Sequence, residues 1–194
     1  MNPTVPAAGS QDYVGDPRND DVFISVNGEL VPRPEAKVSV FDSGFVLGDG
    51  VWEGLRLNGG RIAFFDKHLD RLSDGAKMLR IDIGLTREAL AARVFDVVEA
   101  NAMRDGVHIR LMVTRGVKRS PYQDPRLTVG AATIVIIPEW KLPRPEMLAR
   151  GLTSLPSTSG ARARPSRTRS SIRIPSSTAS SPASRPWRPA RTKL

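Results

Sequence analysis

The chain has 194 residues and no cysteine, which excludes a disulfide framework and a thiolate metal site. Its longest apolar runs fall well short of the roughly 20 residues a membrane span needs. The net charge of +9 suggests a nucleic-acid binder, but residues 154–194 carry eight Arg, one Lys and no acidic residue, whereas residues 1–153 balance 20 basic against 20 acidic.

That partition divides the chain into three: a flexible arm over 1–20, a globular domain over 21–153 and a tail over 154–194. The arm is polar and lacks the basic and apolar regions of a secretory signal, so the chain reads as soluble and cytoplasmic. In the tail, 30 of 41 residues are Ser, Arg, Pro or Ala. Such a segment cannot bury enough apolar surface to offset its ordering entropy, so it is expected to be disordered.

Within the body, Val22 to Val26 is β-rich and runs into Asn27-Gly28, a strong hairpin signal, with Glu29 to Val31 as the return strand before Pro32 and Pro34. Lys37 to Phe41 alternates as a half-buried strand would. Val51 to Leu57 predicts another strand, turned at Asn58-Gly59-Gly60 into Arg61 to Phe65. Helical spacing then takes over: Asp66 can cap a helix bearing Leu69, Leu72, Ala76 and Leu79. Thr86 opens a second helix with Glu88 near its positive end and Leu90, Val94, Val97 and Val98 on one face. Val107 to Thr114 and Ala131 to Ile137 read as buried strands. The order predicts an α+β domain, two helices against a largely antiparallel sheet.

Residue by residue, the chemistry is sparse. Asp42-Ser43-Gly44 and Gly48-Asp49-Gly50 match neither the dinucleotide nor the P-loop spacing and read as a pair of tight turns. His68 and Arg71 lie three apart, on one helix face, as a solvated surface pair would. Trp52 in an apolar strand reads as core. Arg110 and Arg115, in an apolar strand, each need an internal carboxylate or an anionic ligand.

Taken together and in order, these segments carry more. Val40-Phe41-Asp42-Ser43-Gly44-Phe45, then Gly48-Asp49-Gly50-Val51-Trp52-Glu53-Gly54-Leu55-Arg56, resemble the opening of class IV aminotransferases. So do Gly60-Arg61, His68-Leu69-Asp70-Arg71-Leu72, Ala76-Lys77 and Arg110 followed by Val113-Thr114-Arg115-Gly116. The resemblance runs from about Val22 to Thr153 and is nearest in texture to branched-chain members. It implies the small N-terminal domain of the fold-type IV architecture, dependence on pyridoxal 5'-phosphate, amino acid and 2-oxo acid substrates, and a homodimer. It implies that Arg71 grips the cofactor phosphate, as its planar fork suits. Trp52 takes the place of an aromatic lining the substrate pocket, and Leu47 stands where branched-chain enzymes carry Tyr. Arg110 matches their pocket-side arginine, and Arg115 the carboxylate-trapping arginine of D-amino acid members. D-amino acid aminotransferases, (R)-amine transaminases and aminodeoxychorismate lyase belong to the same family and remain alternatives, as does a basic-tailed nucleic-acid-binding or non-catalytic dimerisation protein. No metal ligand set is implied.

In this family the second domain supplies the Schiff-base lysine, which the present chain lacks in any family motif. The tail composition is that of GC-rich coding DNA read out of frame. Shifting by one base, the stretch from Arg167 to Leu194 permits QDPKLNSHSKLNCILACIAAVAAGADEA, which resembles the lysine-bearing segment of branched-chain members. The expectation is a frameshift near Thr153 and a catalytically inactive chain.

Overall fold

The computed structural model describes residues 15–142, all within the compact unit Met1–Leu152. The expected tail and most of the expected arm lie outside the described residues. Six strands form one antiparallel sheet: β1 (Phe23–Val26), β2 (Glu29–Pro32), β3 (Gly50–Asn58), β4 (Arg61–Ile62), β5 (Val107–Thr114) and β6 (Thr133–Trp140), in the order β2-β1-β6-β5-β3-β4. Three helices accompany it: the short α1 (Ser43–Leu47), then α2 (Phe65–Leu79) and α3 (Arg87–Ala100).

The predicted hairpin forms with Asn27 and Gly28 both at positive φ (56° and 93°), the conformation a two-residue hairpin turn requires. Thr86 caps α3 through a bond from the Ala89 amide, and Leu90, Val94, Val97 and Val98 are buried as expected. Strand β5 alternates buried and half-buried residues along its whole length. Val107, Ile109, Leu111 and Val113 face the helices and join Leu55, Leu57, Leu69, Leu72, Val94, Val97 and Ile136 in one core. Each such side chain contributes about 1.5–3 kcal/mol on burial.

Pairing between β1 and β6 stops after Ser25↔Ile136, and Pro138 explains why. The neighbours Ile136 and Trp140, two residues either side, share its orientation, so the position without an N–H faces β1. Beyond it the Asn19 side chain takes the missing strand's place, accepting from the Trp140 amide at 2.8 Å and donating to its carbonyl at 3.0 Å. Asn19 lies in the stretch expected to be arm, yet it is buried and its residues 17–19 form a single helical turn.

Three local expectations need correction. Lys37 to Phe41 forms no strand: it finds no partner strand, and Val38 and Val40 are exposed. The glycine-rich stretch is not a pair of turns but α1, capped by Asp42 and ended by Gly48 at φ 66°. Asp66 does not cap α2. Phe64, left-handed at φ 50°, turns the chain straight into the helix, and Asp66 accepts instead from Arg87 at 3.1 Å.

Leu111, fully buried at the centre of β5, is the stringent test of this core. Leu111→Ala is expected to lower unfolding stability by about 2–5 kcal/mol in urea titrations; a loss below about 1 kcal/mol would contradict the packing described.

Candidate functional site

Side chains along β3 alternate between the two faces of the sheet, and the site is divided by that alternation. Leu55 and Leu57 point to the helices, and so does Glu53, at 3% exposure a carboxylate set in an apolar row. It is not left unpaired. Arg71 of α2 donates Nε to Oε1 at 2.6 Å and Nη2 to Oε2 at 2.5 Å, a bidentate fork. His68, one turn earlier on the same helix face, places Nδ1 2.8 Å from Oε2. Because the acceptor is a carboxylate, Nδ1 carries the proton. The Arg71 fork holds the Glu53 carboxyl below its usual range against the opposing push of burial, with His68 assisting. His68 and Arg71 are therefore not a solvated pair but the two donors to one buried carboxylate.

On the other face, Trp52 is more than half exposed instead of core. It lies beside a groove of about 970 Å³ floored by alternate residues of β5 and β6, among them His108, Arg110, Met112 and Ile137. The Arg110 guanidinium stacks over the Trp52 ring at 4.3 Å, a cation–π contact. Among the described residues no carboxylate pairs with Arg110, and its guanidinium has the Trp52 ring as its neighbour. Burial pushes His108 below its usual range, and the charges of Arg56, Arg110 and Lys141 act in the same direction against Glu139. Arg110 shares the groove lining with Arg33, Lys37 and Lys141.

Arg115, just past the end of β5, has the other fate. It forks onto Asp49, with Nε at 2.6 Å and Nη2 at 3.1 Å, and donates further to the carbonyls of Leu79 and Arg80. Those carbonyls close the C-terminus of α2, so Arg115 ties that helix end to the start of β3. Leu47 ends α1, which is stitched to β5 by the bond from Thr114 Oγ1 to Asp42 at 3.0 Å. Leu47 and Arg115 do not line the groove. The structure thus brings Trp52 and Arg110 together, and places Arg71 on the helix side of the same sheet. Glu53 and His108 were not singled out by sequence reasoning. For Glu53 a signal existed: a carboxylate at the inward position of an alternating strand demands a partner. Among the described residues no cluster of acidic or histidine side chains could hold a metal ion.

A carboxylate whose folded pKa is depressed contributes stability that is fully present above its unfolded pKa, near 4.3. The contribution disappears as pH falls through the lower folded value. Urea midpoints between pH 7 and pH 3 should therefore fall on acidification, and Glu53→Gln should lower the neutral midpoint and flatten the acid limb. An unchanged acid limb would exclude Glu53 as the titrating group. Arg115→Ala should lower stability by about 1.5–3 kcal/mol, the worth of a charge-assisted contact, read from the same titrations.

Comparison with known proteins places this arrangement. Residues 50–184 match the family described as amino-transferase class IV, a match that extends beyond Thr153 into the Ser/Arg/Pro/Ala-rich segment. The chain is 43% identical over 127 residues to branched-chain-amino-acid aminotransferase-like protein 2 of Arabidopsis thaliana, covering 66% of this chain and 23% of that one. It is 45% identical over 125 residues to a putative branched-chain-amino-acid aminotransferase of Methanocaldococcus jannaschii, covering 64% and 41%. The fold superposes on the branched-chain aminotransferase of Thermoproteus uzoniensis with norvaline at a TM-score of 0.52 and 27% identity, over 61% of this chain and 40% of that one. The chain therefore spans less than half the length of these relatives. With a six-stranded antiparallel sheet, its helices and these matches, the chain belongs to the class IV aminotransferases.

Proposed function

We propose that this chain serves the transamination of a branched-chain type amino acid to its 2-oxo acid, as the small domain of a pyridoxal-phosphate enzyme that works as a cytoplasmic homodimer. The observation that carries the reading is the unequal fate of the arginines. Arg71 is held on one edge by Glu53 while its side chain remains 71% exposed, which fits a phosphate at the other edge. Arg110 stands in the groove beside Trp52 without an anion, which fits a substrate carboxylate. Arg115 is consumed by Asp49 and two carbonyls, which favours the branched-chain over the D-amino acid assignment.

When bound, pyridoxal phosphate supplies the electron sink at the substrate α-carbon and carries the amino group between substrates. The residues of this chain bind and orient. Arg71 would hold the phosphate, Trp52 would wall the substrate side chain, and Arg110 would fix the carboxylate in a site that Met112 and Ile137 keep apolar. Leu47, ending α1 where branched-chain enzymes carry Tyr, would act on substrate choice only through the position of that helix. None of these groups can shuttle a proton at the α-carbon. Lys141, at the groove, and Lys193, in the tail, stand in no lysine motif of the family. We therefore infer that these 194 residues alone do not transaminate, and that residues 154–194 are read out of frame.

Two experiments test the proposal. The purified chain, mixed with pyridoxal phosphate and borohydride, should yield no stoichiometric adduct at a single lysine; such an adduct in an active preparation would refute the inactivity. A gene with one base of frame restored near Thr153 should produce a cofactor-retaining enzyme. In it, Arg71→Ala should weaken cofactor affinity roughly ten- to hundredfold, equivalent to about 1.5–3 kcal/mol. Arg110→Ala should weaken substrate binding and leave cofactor absorbance after gel filtration unchanged. A restored protein that binds no cofactor would sink the family reading of the site. One indifferent to Arg71→Ala would sink only that assignment.

A further inference from the structure

Glu53 presents a problem that the fold alone does not solve. The inward positions of β3 are otherwise filled by Val51, Leu55 and Leu57, and an apolar residue at position 53 would complete the row at no desolvation cost. A carboxylate there is expensive to bury unless its partners do something an apolar side chain cannot. Its partners are both on α2, and the path between them is short for a visible reason. Gly75, one turn beyond Arg71, lies against Val51, and a Cβ at that position would sit 3.2 Å from Val51 Cγ1. The absence of that side chain lets α2 approach β3 closely enough for the Glu53 carboxylate to reach the helix.

The hydrogen bonds are also unevenly distributed over the guanidinium. Of the five N–H donors of Arg71, Nε and one on Nη2 are committed to Glu53. The 3.4 Å approach of Nη2 to His68 Nδ1 is between two donors and fixes nothing, since that nitrogen's proton goes to Oε2. Both Nη1 protons and the second on Nη2 have no partner among the described residues, and they belong to the exposed end of the side chain. One edge of the fork is clamped and the opposite edge is open.

We propose that Glu53 is a positioning residue for phosphate recognition: its carboxylate, itself oriented by His68, clamps the Nε/Nη2 edge of Arg71 and presents the Nη1 edge to an anionic phosphate ester. The proposal rests on the phosphate reading of Arg71 given above. An unrestrained surface arginine loses its rotamer freedom on binding; one clamped from behind by a bidentate partner has lost it beforehand. His68 occupies the third acceptor site, so that the carboxylate cannot rotate its Oε2 away from Nη2. Glu53 touches no ligand and acts through Arg71.

Equilibrium dialysis of the full chain against pyridoxamine 5'-phosphate and pyridoxamine tests this, since the two differ only in the phosphate and neither condenses with surface lysines. The wild-type chain should prefer the phosphate ester. Glu53→Gln, checked by circular dichroism to be folded, should lose roughly tenfold of that preference while its affinity for pyridoxamine stays the same. A general loss of structure would weaken both ligands alike. If the wild-type chain shows no preference, the phosphate reading of Arg71 falls and this inference with it. If the wild type prefers the ester and folded Glu53→Gln prefers it equally, the phosphate reading stands and the positioning role is overturned. Should Glu53→Gln fail to fold, the Arg71 Nε–H resonance of the wild type decides. A signal protected from solvent exchange before ligand is added, and displaced by the ester but not by pyridoxamine, supports the clamp; an unprotected signal overturns it.

Discussion

Strand β5 hydrogen-bonds over its full length to β3 on one side and to β6 on the other, and its strict alternation makes the two faces of the sheet different materials. Val107, Ile109, Leu111 and Val113 are sealed under α2 and α3, while His108, Arg110, Met112 and Thr114 look the other way. A shift of one residue in that pairing would exchange the faces, placing two titratable side chains in the core and four aliphatic ones in the groove. Register and function are thus one constraint: whatever binds over the groove meets Arg110 because the core requires Leu111.

Within that frame the cations are sorted by their neighbours rather than by their own chemistry. Arg71, Arg110 and Arg115 carry the same guanidinium, yet one is clamped on one edge, one rests on an aromatic face and one has four of its five donors engaged. Arg115 shows how completely a neighbour can decide. Asp49 takes its fork, the open carbonyls at the end of α2 take two more donors, and a residue available in principle to a substrate becomes a tie between helix and sheet. Asp42 does similar work on the opposite flank, capping α1 at the Gly44 amide and accepting from Thr114. The two carboxylates fix the loop between them, from which β3 sets out carrying Trp52 and Glu53.

The groove mixes apolar residues such as Met112, Val135 and Ile137 with charged ones, Arg33, Lys37, Asp42, Arg110, Glu139 and Lys141. Burial and the neighbouring cations Arg56, Arg110 and Lys141 hold the His108 imidazole below its usual range. The stacking on Trp52 engages the face of the Arg110 guanidinium and consumes none of its hydrogen-bond donors.

Much of this was legible in the residues themselves. The helix over Thr86 to Asn101, the hairpin at Asn27-Gly28, the alternation of Val107 to Thr114 and the spaced motifs of the class IV family are local patterns, written in period, cap and turn chemistry. Elements whose outcome depends on a distant partner were not legible in the same way. Lys37 to Phe41 has the alternation of a strand, but a strand exists only when another backbone supplies its hydrogen bonds, and among the described residues only the Lys118 amide reaches it, at the Phe41 carbonyl. Trp52 looked like core because its neighbours are apolar, and it is exposed because parity on β3 gives the buried side to Glu53. How far each arginine's donors are occupied is decided by the tertiary structure. A guanidinium's availability is set by which carboxylates and carbonyls come within 3 Å, and Glu53, Asp49, Leu79 and Arg80 reach theirs from 18, 66, 36 and 35 residues away.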